Sequence, residues 1–367
     1  MWRKYTNQDL GKCPYLVFYE LTRMCDLACV HCRANAQPMR HPEELTVSQS
    51  RQFVEELARF PFRPLLVLTG GDPFKRPDLY ELVHHATQAG LHVSVTPSAT
   101  PLVDRWALVR LRDEGARRIA VSLDGAKPAT HDGIRGVAGS FAKSLELLKI
   151  ANEVGLPVQV NTTLTRRNEG EVDALAELLA TRRIELWSVF FLVPTGRGAK
   201  EQRVSAEEYE AVFERLWSHA MTKGFVVKTT EAPHYRRFTA QRRQTLVHAH
   251  GLGPTASRPA ASLGLNDGKG IAFVGHTGCI YPSGFLPVEC GRIPKDSLLD
   301  VYRTHPVFTA LRDPGRLKGK CAVCEFGSLC GGSRARAYAV TGDYLAQEPD
   351  CIYQPHSREG VSASCSA

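Results

Sequence analysis

Short apolar runs alternate with helical patterns six times in the first half of this 367-residue chain. The predicted strands are YLVFYEL (15–21), PLLVLTGG (64–71), LHVSVTPS (91–98), RIAVSLDG (118–125), PVQVNTTL (157–164) and ELWSVFFLVPTGRG (185–198). The segments between them carry apolar residues at helical spacing. Repeated strand–helix units form right-handed crossovers, which place the strands parallel and side by side. The alternation therefore predicts an α/β fold, an open or partial (β/α)6 barrel similar to a TIM barrel.

Polar and small residues stand where each predicted strand ends. Cysteines follow the first strand, GGD (70–72) the second, PS (97–98) the third and SLDG (122–125) the fourth, while NTT (161–163) lies on the fifth. In α/β barrels the carboxyl ends of the strands hold the active site. Five such segments in register therefore indicate one shared site.

The composition limits the compartment and the partners. No run of about 18 apolar residues occurs, and the N-terminus MWRKYTNQDLGK lacks the apolar core of a secretory signal. We therefore expect a cytoplasmic protein with no membrane partner, in which disulfides are rare. The net charge of +8 permits an anionic substrate. No stripe of Lys and Arg interleaved with aromatic residues occurs, so we expect no nucleic-acid partner.

Eleven cysteines in such a chain need an explanation other than disulfide pairing. Three lie between residues 25 and 32, and six lie between residues 279 and 351. Clustered thiols in a reducing compartment bind metal more often than they pair with each other. Cys13 and Cys365 lie apart from both groups, and we expect no role for them.

The first group, CDLACVHC, places Cys25, Cys29 and Cys32 at C-x3-C-x2-C spacing. Thiolates select zinc or iron–sulfur clusters, and a tetrahedral zinc site needs four ligands. His31 is a poor fourth ligand because it neighbours Cys32, and adjacent side chains diverge. A [4Fe–4S] cluster held by three cysteines leaves one iron open, as a catalytic site requires. The spacing therefore favours a three-cysteine cluster over zinc.

A second group has the spacing C-x2-C-x5-C-x20-C. Its members are Cys321, Cys324, Cys330 and Cys351. Four thiolates either close a structural zinc site or fully ligate a [4Fe–4S] cluster, and spacing alone leaves both open. Cys279 and Cys290 lie in a preceding β-hairpin pattern and are too few to hold a closed cluster unaided.

Taken together, these motifs resemble the radical SAM superfamily. The triad follows the first strand, TGGDP (69–73) follows the second, and SLDG, HDGIRG (131–136), VNTT and LVPTGRG (192–198) stand where that family contacts S-adenosylmethionine. The C-terminal CAVCEFGSLCGGSRARAYAVTGD is similar to the SPASM/twitch extensions. The resemblance covers residues 14–355 and is greatest to the radical SAM enzymes of alternative haem and haem d1 synthesis.

The resemblance implies a cofactor site around the first cysteine group. Cys25, Cys29 and Cys32 would bind three irons of a [4Fe–4S] cluster, and S-adenosylmethionine would chelate the fourth through its amino and carboxylate groups. Gly70 and Gly71 would let the backbone approach the methionine. One electron would cleave the sulfonium, and the 5′-deoxyadenosyl radical would abstract a substrate hydrogen.

Further contacts with S-adenosylmethionine are implied at the ends of the other strands. Asp72, where the family often has Glu, would face the ammonium, and Arg135 would pair with the carboxylate. The remaining implied contacts are Ser122 and Asp124 at the ribose or methionine end, Ser98 and Asn161 as hydrogen-bond partners, and His31 and Val193 beside the adenine. The alternative role for Ser98 and Asn161, considered alone, is to cap turns.

The resemblance also favours an auxiliary [4Fe–4S] cluster over zinc at the second cysteine group. A full SPASM domain carries two auxiliary clusters, but Ser283 stands here where a ligand is expected. We therefore expect one auxiliary cluster. Arg197, Arg334 and Arg336 either recognise an acidic substrate or are structural charges.

We expect five segments along the chain. They are an N-terminal segment (1–14), a radical SAM barrel core (15–198), a helix with an irregular connector that is either a linker or a lid (199–268), a small α+β SPASM/twitch domain (269–355), and a disordered tail (356–367).

Three functions remain open from the sequence. The first is a radical SAM lyase, decarboxylase or oxidoreductase-like enzyme, reduced by flavodoxin or ferredoxin. Its substrate would be a small acidic molecule, either a tetrapyrrole or a sugar acid or nucleoside of secondary metabolism. The second is a SPASM-type peptide-modifying maturase, disfavoured because a first strand near residue 15 leaves no room for a leader-binding domain. The third, a non-catalytic iron–sulfur redox protein, leaves the glycine motif unexplained.

Overall fold

One sheet of ten strands organises the protein, in a computed structural model that describes residues 6–250 and 264–356. The strands are β1 Leu16–Thr22, β2 Leu65–Gly70, β3 His92–Val95, β4 Arg118–Ser122, β5 Val158–Leu164, β6 Leu186–Phe191, β7 Val226–Thr230, β8 Ile271–Val274, β9 Cys279–Tyr281 and β10 Gly291–Arg292. Within the described residues, every one of these strands belongs to the same sheet.

Helices follow most of the parallel strands. They are α1 Asn7–Lys12, α2 Val47–Ala58, α3 Leu79–Gln88, α4 Arg105–Asp113, α5 Pro128–Arg135, α6 Ser140–Glu153, α7 Val172–Ala180, α8 Ala206–Thr222, α9 His234–His250, α10 Leu298–Thr304, α11 Pro306–Arg312, α12 Lys320–Val323 and α13 Arg334–Thr341. None of the helices in the described ranges is long and apolar enough to cross a bilayer. The cytoplasmic location stays a prediction.

The strand order confirms the expected partial barrel. Strands β1 to β7 follow one another in chain order, and each pairs in parallel with the next. On the other side β8 pairs in parallel with β1, and β9 and β10 continue that side antiparallel. The order thus ends at β7 and β10, which leaves the sheet open. The carboxyl ends of β1 to β6 lie at one edge, as the sequence predicted.

The two faces of the sheet differ in chemistry. In β6, Trp187 and Val189 are fully buried among apolar residues of the surrounding helices. Alternate residues of a strand point to opposite faces, so Ser188 and Phe190 lie on the inner face of the barrel. The apolar core therefore lies between sheet and helices, whereas the inner face carries polar side chains together with aromatic ones such as Phe190.

Residues 199–268 contain more regular structure than the expected helix and connector. The predicted helix is present as α8, but β7 follows it and pairs with β6, and α9 continues to His250. Residues 251–263, which hold most of the predicted connector or lid, lie outside the described residues. The expected disordered tail also lies outside them, except for His356.

The predicted C-terminal hairpin is confirmed by the antiparallel pairing of β8 and β9. Because β8 also pairs with β1, this hairpin belongs to the barrel sheet. Leu16 pairs with Ile271 and Tyr19 with Val274 in that register. The C-terminal part of the chain therefore extends the barrel sheet beyond β1.

Arg336 in α13 connects the C-terminal segment, residues 342–356, to the barrel. Its buried guanidinium pairs with Glu348 at 3.1 Å and with Asp350 at 3.2 Å. It also donates to the carbonyl oxygens of Phe191 (3.4 Å) and Glu231, which lie at the ends of β6 and β7. Buried ions are tolerated only when they are paired and hydrogen-bonded. One side chain thus joins the segment after α13 to two strand ends.

We predict that Arg336→Met lowers the free energy of unfolding by about 3–5 kcal/mol, because Glu348 would stay buried without a counter-charge. Urea unfolding of the anaerobic holoprotein, followed by circular dichroism, measures this loss. The control is Lys318→Met, whose exposed pair with Asp343 (2.6 Å) should be worth at most about 1 kcal/mol. Equal losses in the two variants would contradict the assignment.

Candidate functional site

The loop after β1 carries the first cysteine group, and a hydrogen bond joins its beginning to its end. A main-chain hydrogen bond runs from Cys25 N to Gln37 O (2.8 Å). Arg197, which follows β6, donates to the carbonyl oxygens of Cys29 (2.8 Å) and Ala36 (3.0 Å). The cysteine loop is therefore held from the far side of the barrel as well as from β1.

The three thiols of this loop lie in one small apolar cluster. Cys25 and Cys29 are buried and Cys32 is half-buried, and they pack together with Leu27. Burial raises the pKa of the Cys25 and Cys29 thiols. Within the described ranges, no three His, Cys, Asp or Glu side chains gather closely enough for a single metal ion. Three free, soft thiols in one loop fit the three-cysteine cluster that the spacing predicts.

Gly70, Gly71 and Asp72 bind the end of β2 to the start of the cysteine loop. Hydrogen bonds from Gly71 N to Thr22 O and from Asp72 N to Met24 O, both 2.8 Å, continue the β1–β2 ladder beyond the strands. A Cβ at Gly71 would lie 2.5 Å from the Met24 oxygen, and a Cβ at Gly70 would collide with Thr22. The glycines are therefore required by the contact between two backbones, independently of any ligand.

The Asp72 carboxylate is fully buried and joins the ends of β2 and β3. It accepts hydrogen bonds from Ser98 N (3.4 Å) and Thr100 Oγ1 (2.9 Å). Burial raises the pKa of Asp72, and these hydrogen bonds offset only part of that rise. The Ser98 hydroxyl donates to Gly71 O (2.8 Å) and lies 3.3 Å from Cys25 Sγ. Ser98 thus reaches the first cysteine, while Asp72 already has protein partners.

Asp124 and Arg135 connect the end of β4 to the cysteine loop. Asp124 Oδ2 lies 2.6 Å from Arg135 Nη2, and Arg135 Nη1 lies 3.7 Å from Cys29 Sγ. Burial alone would raise the pKa of Asp124. Nearby positive charges, chiefly that of Arg135, outweigh burial, so the pKa of Asp124 is lowered. His31 Nε2 lies 3.7 Å from the same oxygen, and burial lowers the pKa of His31 to about 4. The structure therefore brings Asp124, Arg135 and neutral His31 to Cys29.

Three buried nitrogens beside the cysteine loop have no hydrogen-bond partner among the described residues. They are Nδ1 of His31, Nε of Arg135 and Nη2 of Arg197. Buried polar groups are almost always hydrogen-bonded, so this location suits a polar ligand. A guanidinium and an imidazole next to three thiols fit S-adenosylmethionine, whose methionine end carries a carboxylate.

The other residues predicted to contact S-adenosylmethionine lie in two different parts of the structure, the barrel interior and the C-terminal packing. Ser122 of β4 and Asn161 of β5 are register partners, half-buried on the inner face of the barrel. Asn161 Oδ1 accepts a hydrogen bond from Gln159 Nε2 (2.7 Å). Val193 is buried and packs with Leu286 in the C-terminal part of the chain. The structure thus brings Ser122 and Asn161 to the barrel interior and uses the Val193 side chain in packing.

Helix α5 positions Arg135 and was missed in the sequence. Pro128 occupies its first turn, and Gly136, with φ of 69°, ends it. His131 in the same helix accepts a hydrogen bond from Asp124 N (3.0 Å) through its Nδ1 atom. The available signal was a proline at the first turn and a glycine just past the end, which is typical of short helices.

The four cysteines of the second group line one cavity. Its volume is about 410 Å³, including its opening to solvent. The lining comprises His234, Arg237, Lys320, Cys321, Cys324, Phe326, Gly327, Cys330, Gly331, Gly332, Glu348, Cys351, Tyr353 and Pro355. Burial raises the pKa of Cys330 to about 12. Four free thiols around one cavity fit a fully ligated iron–sulfur cluster.

Cys279 and Cys290 lie on opposite faces of the hairpin. Cys290 belongs to the helix-side core, and so does Ile280. Because side chains alternate along a strand, Cys279 next to Ile280 faces the inner side. Both thiols are free. This arrangement separates the two remaining candidate ligands of a first auxiliary cluster.

The three arginines considered for substrate recognition have structural partners. Arg197 holds the cysteine loop, and Arg336 is buried in ion pairs with the C-terminal segment. Arg334 is 1% exposed and donates to the carbonyl oxygens of Tyr344 (3.2 Å) and Ala346 (2.6 Å). The structure therefore supports the structural alternative for all three, because their guanidinium groups already bind protein oxygens.

Comparisons with known proteins agree with this arrangement. Residues 19–179 match the model of the radical SAM superfamily. An AdoMet-dependent heme synthase of Methanosarcina barkeri is 38% identical, covering 93% of this chain and 97% of the relative. A protein of the same name from Oleidesulfovibrio alaskensis is 36% identical, over 96% of this chain and 91% of the relative. The crystal structure of Streptococcus suis SuiB bound to S-adenosylmethionine has a TM-score of 0.69 at 16% identity, covering 93% and 78% of the two chains, and shows the shared fold.

The chain therefore belongs to the radical SAM superfamily, a class of enzymes that use a [4Fe–4S] cluster and S-adenosylmethionine and require an external reductant. Within this superfamily it is similar to the enzymes of alternative haem biosynthesis. Membership of an enzyme family leaves the hypothesis of a non-catalytic redox protein without support.

We predict that Gly71→Ala prevents assembly of the first cluster, because the added Cβ would displace the Met24 carbonyl at the base of the cysteine loop. The iron content after anaerobic reconstitution should fall by about four per chain, and release of 5′-deoxyadenosine should be lost. Gly170→Ala is the matched control, since no atom lies within 4 Å of its added Cβ. Wild-type iron content in Gly71→Ala would show that the loop tolerates the displacement.

Proposed function

We propose that this enzyme converts an iron tetrapyrrole with propionate side chains into haem by oxidative decarboxylation. The observation that carries the proposal is the extent of the likeness to the AdoMet-dependent heme synthases, which spans 93% of the chain and so includes both cysteine sites. Haem carries two vinyl groups where iron coproporphyrin III carries two more propionates. Iron coproporphyrin III is therefore the substrate that we propose.

The residues around the first cysteine group have distinct roles in this proposal. Cys25, Cys29 and Cys32 would hold the cluster, and Arg135 would bind the methionine carboxylate while Asp124 fixes the orientation of its guanidinium. The cluster and S-adenosylmethionine, when bound, supply a 5′-deoxyadenosyl radical that can abstract a hydrogen atom. The supporting geometry is the 2.6 Å ion pair between Asp124 and Arg135, which lies beside the Cys29 thiol.

The proposed reaction balances for each propionate that is converted. A hydrogen atom leaves the carbon next to the ring and forms 5′-deoxyadenosine. The bond to the carboxylate then breaks, carbon dioxide leaves, a vinyl group forms, and one electron remains. That electron needs a one-electron acceptor of the iron–sulfur class. The cavity lined by the four C-terminal cysteines suits such an acceptor, and zinc, which has no redox chemistry, would not serve.

We propose a single auxiliary cluster, held by Cys321, Cys324, Cys330 and Cys351. Main-chain N–H groups of Gly332 and Glu348 lie 3.4 Å from the sulfurs of Cys330 and Cys321. Hydrogen-bond donors to the sulfurs of an iron–sulfur cluster are a main determinant of the cluster's reduction potential. The placement of Cys279 and Cys290 on opposite faces of the hairpin argues against a second closed cluster.

The activity test supplies reconstituted enzyme with S-adenosylmethionine, a strong reductant or reduced flavodoxin, and iron coproporphyrin III under anaerobic conditions. We expect haem, with one 5′-deoxyadenosine formed for each carboxyl group lost, measured by chromatography and mass spectrometry. Cleavage of S-adenosylmethionine without any change in the tetrapyrrole would contradict the proposed substrate. A modified peptide as the product would favour the maturase hypothesis.

The cofactor test counts iron in cysteine variants. We expect about eight irons per chain in the wild type and about four in Cys351→Ala. Cys29→Ala should lose all 5′-deoxyadenosine release, whereas Cys351→Ala should retain slow release without haem formation. Cys13→Ala is the control, because Cys13 is buried in the helix-side core outside both sites. Eight irons in Cys351→Ala would place the auxiliary cluster elsewhere.

A further inference from the structure

Lys228 presents an unpaired cation to the interior of the barrel. Its neighbour Val227 packs against the helix-side core, so Lys228 points to the inner face. A hydrogen bond between Thr230 and Ser188 hydroxyls (3.2 Å) marks the same face on β7 and β6. The Lys228 side chain reaches open space there, since the residue remains exposed. Among the described residues, its ammonium has neither a hydrogen bond nor an ion pair.

A row of polar side chains leads from the expected S-adenosylmethionine contacts to this lysine. Ser122 pairs in register with Asn161, Asn161 with Ser188, and Ser188 with Lys228, from β4 through β7. Register partners on one face lie about 5 Å apart. Lys228 is therefore at the same level of the barrel as Ser122 and Asn161.

Arg236 stands near Lys228, and Lys269 stands near Arg236, beside the loop that precedes Cys330. Arg236 donates to the carbonyl oxygens of Leu329 (3.2 Å) and Leu265. Lys269 Nζ donates to Ser328 O (3.4 Å). Burial and then the Arg236 charge lower the pKa of Lys269. Lys228 keeps access to solvent, but desolvation by the protein atoms around its ammonium and then the Arg236 charge lower its pKa to about 8. Arg236 is thus a common neighbour of both lysines.

No carboxylate of the described chain forms an ion pair with any of these three cations. Arg118, which also acts on Lys228, is itself paired with Glu185 at 2.9 Å. Glu231 acts on Arg236, but burial and the charge of Asp267 raise the pKa of Glu231 well above its usual range. An open face of the barrel that carries cations without a carboxylate partner among the described residues favours binding of a ligand of the opposite charge.

We infer that Lys228, supported by the charge of Arg236, binds a carboxylate of the substrate inside the barrel. This inference rests on the proposed function, which gives the substrate several propionates. A carboxylate held at Lys228 lies on the inner face, in line with Ser122 and Asn161, and next to the loop that carries Cys330. The lysine therefore anchors one propionate while another faces the expected S-adenosylmethionine site.

Binding measurements on Lys228 variants test this role. The affinity of iron coproporphyrin III for anaerobic holoenzyme is measured by absorbance titration, together with that of its tetramethyl ester, which has no free carboxylate. Lys228→Met should weaken binding of the acid about tenfold or more, because a charged hydrogen bond is lost, and should leave binding of the ester unchanged. Lys228→Arg should restore most of the affinity. Lys149→Met, at an exposed surface pair with Glu153, is the control.

Equal affinity of wild type and Lys228→Met for the acid would overturn the inference, and so would an equal loss for acid and ester. Unchanged iron content and unchanged uncoupled release of 5′-deoxyadenosine in Lys228→Met show that the variant is folded and loaded.

A second probe separates this inference from the proposed function. Calorimetry with tricarballylate, a simple tricarboxylate, should show binding to the wild type and at least tenfold weaker binding to Lys228→Met. If tricarballylate binds in this way while iron coproporphyrin III is neither bound nor converted, the carboxylate site stands and the tetrapyrrole proposal fails. Conversion of iron coproporphyrin III to haem at wild-type affinity and rate by Lys228→Met would leave the proposed function intact and remove the carboxylate site.

Discussion

The close approach of backbones around the cysteine loop is the constraint on which the rest of the site depends. Gly71, Gly136 and Gly196 each contact a different part of this loop, and a Cβ at any of them would collide with a loop carbonyl oxygen. They follow β2, α5 and β6, so three separate parts of the barrel meet the loop without intervening side chains. Arg197 adds hydrogen bonds to two more carbonyl oxygens. A loop without regular structure thereby acquires the fixed position that cluster ligands need.

Charge is distributed so that structural and ligand-binding cations can be told apart. Arg336 and Arg334 are enclosed and bonded to protein oxygens, so they stabilise the junction between barrel and C-terminal segment. Arg135 has one carboxylate partner and a nitrogen left over beside the thiols. Lys228 has no partner among the described residues. Arg334 also keeps one buried nitrogen without a hydrogen-bond partner, so the place of that nitrogen distinguishes these roles: that of Arg135 lies beside the thiols, whereas Arg334 is bonded to carbonyl oxygens of the C-terminal segment.

The sequence predicted what depends on periodicity and spacing. Strands β1 to β6 are apolar runs followed by helices, and the cysteine groups have distinctive spacings, so the barrel and the cysteines of both thiol sites could be identified. Strand β7 was missed because VVKTT is short and partly exposed. Helix α5 was missed because it is short and polar. The roles of Arg197, Arg334 and Arg336 could not be found, because they depend on carbonyl groups that only the folded chain brings to them.

The pairing of β8 with β1 has a consequence for how the protein matures. The strand that carries the cysteine loop gains its second neighbour from a segment about 250 residues later in the chain. Contacts between such distant residues form late, since a long loop must close first. During synthesis on the ribosome, β1 therefore has one open edge until the C-terminal hairpin emerges. The oxygen-sensitive cluster is thus best inserted after β8 has emerged and paired with the open edge of β1.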